Sequence, residues 1–118
     1  LDFTQNSNIV ENVINLDITE IILNEFHLDI KDRSFDQNFY TKFNDEILTE
    51  FNEIKESISF DETIIFAQKI IYFSEEFDIK SLKKYGEKLL ESLKSFKLRE
   101  IKKLIHLFIS ISNTLLKK

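Results

Sequence analysis

The chain has no cysteine, proline, methionine or tryptophan, and its single glycine is Gly86. Each absence removes a class of protein. Without cysteine there is no disulfide framework, no thiolate nucleophile and no cysteine-ligated zinc. One glycine is too few for a P-loop or a dinucleotide-binding fingerprint, which need several where backbone approaches phosphate. All-β folds use glycine and proline in their many turns, so their near absence points to helices joined by short polar turns. Without methionine Leu1 is not a natural start, and the chain is expected to be a piece of a longer polypeptide. It shows no charged-then-apolar leader and no apolar run of membrane-span length. A cytoplasmic piece with no direct membrane contact is expected, even if its parent is anchored.

The remaining composition is that of a globular domain: 118 residues, 42% hydrophobic and 31% charged, enough for one core. A net charge of −5 argues against nucleic acid or an acidic membrane surface as partner. The heavy use of Asn, Ile, Lys and Phe reads as codon bias rather than function.

Residues 1–35 read as an N-terminal extension or linker with one or two short helices. Ile9, Val10, Val13, Ile14 and Leu16 permit a helix around 8–16. Ile18, Ile21, Ile22 and Phe26 permit a second, capped by Asp17 or Thr19 and ending near Phe26. Beyond it Phe26, Leu28 and Ile30 alternate, so the chain is expected to be extended through Arg33. Asp29, Lys31, Asp32, Arg33 and Ser34 read as a solvated connection.

From Asp36 the period is helical throughout. Phe39, Phe43, Ile47, Phe51 and Ile54 form one apolar face. Ser59, three residues ahead of Glu62, has the spacing of a capping box and opens a helix over about 61–76. That helix carries Phe66, Ile70, Phe73 and Phe77 on one stripe. Asp78 then stands where an N-cap would, ahead of the run Leu82, Tyr85, Leu89 and Leu93. The last helix spans about 98–116, with Ile101, Leu104, Ile105, Phe108, Ile111 and Leu115 inward. Short connections make sequential helices antiparallel neighbours, so residues 36–118 are expected to be an all-α, antiparallel up-down four-helix bundle.

The stretch from Phe66 to Leu82 resembles the centre of the histidine-phosphotransfer (Hpt) domain of bacterial phosphorelays. That family reads Ala-His-x-Leu-Lys-Gly, then small residues, a hydrophobic residue, a turn and a helix opening on Leu. Here Leu82 falls on the helix-opening Leu, Phe77 on the last hydrophobic position, Ile70 on the motif's Leu and Ala67 on its Ala. The phosphoacceptor position is then Gln68, the Lys position Ile71 and the Gly position Tyr72. Phe66-Ala67, Leu82-Lys83-Lys84-Tyr85-Gly86, Leu89 and Ser95-Phe96 are similar to a degenerate Hpt-like module found at the C-termini of some hybrid sensor kinases. The resemblance covers about residues 36–118. It implies a receiver domain, of a response regulator or hybrid kinase, in cis or in trans, as partner.

Relay chemistry needs a nucleophilic imidazole beside a cation. A Gln68 carboxamide is not nucleophilic, and Ile71 brings no charge, so no transfer is expected. Ile64, Ile71 and Tyr72 lie one turn from Gln68. They make that face apolar, either as a docking surface or as a seat for residues 1–35. His106, among Arg99, Lys102 and Lys103, and His27, with Lys31 four residues on, are the only imidazoles. Either would be needed for an active phosphotransfer domain, and the bland reading is a solvated surface residue. No nucleophile–base pair, cofactor motif or metal cluster is evident, so an enzyme is not expected. The other alternative is a general helical interaction or dimerisation domain. Gly86, inside a helix, points to close approach by a neighbour. Tyr40, Tyr72 and Tyr85 are expected in the core with their hydroxyls at its rim.

Overall fold

A computed structural model describes residues 18–118, and the elements among them are all helical. Five helices follow one another. They are α1 (Ile18–Ile30), α2, α3 (Phe60–Glu76), α4 (Lys80–Lys94) and α5 (Leu98–Leu116). In α2 a π-helical turn, Phe43–Leu48, lies between the α-helical segments Gln37–Lys42 and Thr49–Ile54. Its cause is visible in the sequence. Phe39, Phe43, Ile47 and Phe51 recur every fourth residue, and an α-helix turns roughly 40° too far over each such step. The wider turn takes up part of that drift and keeps all four side chains in the core. The helix expected around 8–16 lies outside the described residues.

The apolar faces read from the sequence converge on one cluster. Phe43, Ile47, Phe66, Ile70, Phe73, Leu82, Leu89, Ile101, Ile105 and Phe108 are all buried in it. Phe108 of α5 meets rings from three other helices, with centroids 4.8 Å from Phe51, 5.1 Å from Phe66 and 5.8 Å from Tyr85. Tyr85 is fully buried rather than at the rim, and its hydroxyl donates to the carbonyl of Leu104 at 2.7 Å. Burial raises its phenol well above the ordinary tyrosine value. Tyr40 is half-buried and Tyr72 exposed.

Gly86 sits where α4 crosses α3. A Cβ there would lie 2.8 Å from Cγ1 of Ile71, 3.0 Å from Cγ2 of Ile70 and 3.2 Å from the carbonyl oxygen of Ala67. Close approach is therefore the reason for a glycine inside a helix.

The helix starts are in part as expected. The Asp36 carboxylate accepts from the Phe39 N–H at 3.0 Å, and the Ser59 hydroxyl from the Glu62 N–H at 3.5 Å. Asp78 is a correction. It adopts φ 53°, a left-handed turn conformation that Asp tolerates, and caps nothing. The first residues of α4 are capped instead from α1, where Oδ2 of Asp29 accepts from the Ser81 N–H at 2.9 Å and its hydroxyl at 2.8 Å.

The stretch after Phe26 is also corrected. It is not extended, because α1 continues to Ile30 and buries Ile22, Phe26 and Ile30 in the common core. Nor is the segment that follows merely solvated. Arg33 donates to the carbonyls of Phe77 and Asp78, closing the end of α3. Residue 29 and residue 33 thus hold the α3–α4 turn from both sides, and α1 packs against α4 and α5. Among the described residues, no helix is long and apolar enough to cross a membrane.

Candidate interaction face on α3

Helix α3 turns three different sides to its surroundings. Phe66, Ile70 and Phe73 enter the core, and Thr63, Ala67 and Ser74 are buried as well. The third side is open. It carries Ile65, Gln68, Lys69 and Tyr72, all exposed, with Tyr72 at 72% and Ile65 at 45%. Ile65, Gln68 and Tyr72 are spaced i, i+3 and i+7, one line down the helix.

Of the residues expected on this face, Gln68 and Tyr72 stand in solvent. Ile64 and Ile71 are half-buried: Ile64 packs against the core, and Ile71 reaches Gly86 of α4. They flank the open stripe rather than form it. Ile65 was missed, although it stands three residues from Gln68, the same spacing that singled out Ile71. Helix α1 packs on α4 and α5 and not on α3, so residues 18–30 leave the stripe open.

The borders of the stripe are charged. On the α2 side Lys69 pairs with Glu50 at 2.9 Å and Lys42 with Glu76. Glu46, Lys69, Tyr72, Phe73 and Glu76 line a shallow groove there. On the α4 side Lys83 pairs with Glu75 at 2.9 Å, and Ile71 borders a second groove with Glu87, Leu90, Glu91 and Lys94. Chemically the face offers apolar contact, one free carboxamide and ionic edges. It holds no imidazole, and Lys69, the nearest cation to Gln68 in sequence, is tied to a glutamate.

The two histidines are elsewhere. Nε2 of His27 lies 3.3 Å from Oγ1 of Thr114, joining α1 to α5. His106 is exposed on α5, where two shallow grooves bring it together with Lys55 and Lys102, and with Lys102, Lys103 and Ser110. Among the described residues no group of three His, Asp or Glu could hold a metal ion. No family model matches the chain, and no curated protein or solved structure matches it either.

Proposed function

We propose that the chain is a non-catalytic, Hpt-like signalling module of a two-component system, docking a receiver domain in the cytoplasm without transferring phosphate. On this reading residues 36–118 act as an antiparallel up-down four-helix bundle, and α3 is the docking helix. The observation that supports it best is the position of Gln68. It stands exposed in the middle of α3, between Ile65 and Tyr72, where an active domain would present its imidazole. The surface is available and the nucleophile is missing, which suits docking without chemistry. The receiver can be one of a response regulator or of a hybrid kinase, in cis or in trans.

The test is incubation of the chain with a panel of phosphorylated receiver domains. The expected result is binding with no label on the chain. Acid-labile, base-stable phosphate on His27 or His106 would instead establish active transfer, a reading favoured only by the lysines beside His106. A general helical interaction or dimerisation domain has its own support in the exposed Leu28, Phe96 and Leu116 on other surfaces. Self-association in sedimentation, with no receiver bound, would favour it.

A further inference from the structure

We infer that the open stripe of α3 selects a partner surface with an apolar centre and a basic rim, an inference that rests on the reading of this face as a docking site. The centre of the stripe is set by Ile65 and Tyr72, two helical turns apart and both in solvent. Ile64 and Ile71, both half-buried, widen it on one edge. A partner side chain placed there meets apolar surface first and carboxylates next.

Three cations along the edges are already engaged. Lys69 is held by Glu50, Lys42 by Glu76 and Lys83 by Glu75. Two of them also serve a second carboxylate. The ammonium of Lys42 is held above its ordinary value by its hydrogen bond to Glu76, with Glu46 adding to the effect. That of Lys83 is raised by Glu75 in the same way, with Glu87 adding to it. Glu46 and Glu87 make no ion pair of their own among the described residues. Each lies in one of the two grooves that flank the stripe, Glu46 in the one with Tyr72 and Glu87 in the one with Ile71. Asp61 and Glu62 stand exposed in the first turn of α3, also without an ion pair among the described residues. Lys94 borders the Ile71 groove with Glu87, and Glu91 of the same groove pairs with Lys88 at 3.7 Å. The border is therefore acidic in surplus on the α2 edge and at the N-terminal end of α3, and balanced on the α4 edge. A cationic surface is steered to such a face, and an acidic one meets like charges on docking.

The experiment uses the full chain and two synthetic amphipathic helical peptides with the same leucine stripe, one flanked by lysines and one by glutamates. Resonances of Ile65, Gln68 and Tyr72 should shift on adding the lysine peptide and not the glutamate peptide. The Glu46→Lys, Glu87→Lys double variant should weaken lysine-peptide binding about tenfold or more, and raising the salt should weaken it in the unsubstituted chain. Tyr72→Ala should weaken it too, at any salt concentration. The inference is overturned if the two peptides bind alike, if the lysine peptide does not bind, or if its binding survives both sets of substitutions. Because no receiver enters this test, a failure of receivers to bind leaves its outcome intact. Failure of the peptides while receivers bind removes only the basic rim.

Discussion

A single missing methyl group at position 86 sets how closely α3 and α4 approach. Gly→Ala inside a helix gains about 1 kcal/mol of propensity, whereas overpacking a core costs about 1–3 kcal/mol. Here the added Cβ would meet a backbone oxygen, that of Ala67, and two isoleucines, one of them fully buried. The neighbours have little room to yield, so overpacking should win. Gly86→Ala is expected to destabilise the chain by about 1 kcal/mol, a fall of roughly 4–8 °C in melting temperature. Tyr85 makes a second prediction at this scale. Its phenol is raised by burial, so its contribution to stability is complete below about pH 10, where the unfolded phenol is still neutral, and is lost as pH rises above that value. Tyr85→Phe removes the hydrogen bond to Leu104 and should cost about 1 kcal/mol at neutral pH. It should also flatten the alkaline limb of a stability–pH curve relative to the unsubstituted chain.

At the scale of elements, the helices that follow one strong period were legible. The faces of α2, α3 and α5 can be read from Phe and Ile spacing alone, because a buried stripe leaves its period in the sequence. What was not legible is the work that α1 does. Asp29 and Ser81 are 52 residues apart, and no local pattern marks a carboxylate that caps another helix. Asp78 had the right residue type at the right place for a cap. The left-handed turn took it out of reach, and Asp29 fills the position instead. The alternation of Phe26, Leu28 and Ile30 suggested an extended segment. In the helix Phe26 and Ile30 are one turn apart and buried, while Leu28 points to solvent. Removing the distant cap with Asp29→Ala should cost about 0.5–2 kcal/mol, measured by denaturant unfolding. Loss of slow hydrogen exchange should begin at Ser81 and its neighbours.

Across the described residues, one apolar core ties the five helices together, so an unpaired carboxylate at its centre should be felt throughout them. Ile70→Asp is expected to unfold the chain, because burying such a charge costs several kcal/mol against a typical total of about 5–15 kcal/mol. An unmoved melting temperature would contradict the packing of α3. The opposite behaviour is expected on the open side of the same helix. Tyr72 and Ile65 have few native contacts to lose, whereas Ile71, half-buried against Gly86, would confound stability with binding. Tyr72→Ala is thus the cleanest single probe of docking at this face. Its melting curve and its binding curve for a receiver domain, taken on the same preparation, should separate. The melting temperature should stay within experimental error of the unsubstituted chain while the dissociation constant rises about tenfold or more. A receiver that binds Tyr72→Ala as tightly as the unsubstituted chain would contradict α3 as the docking helix.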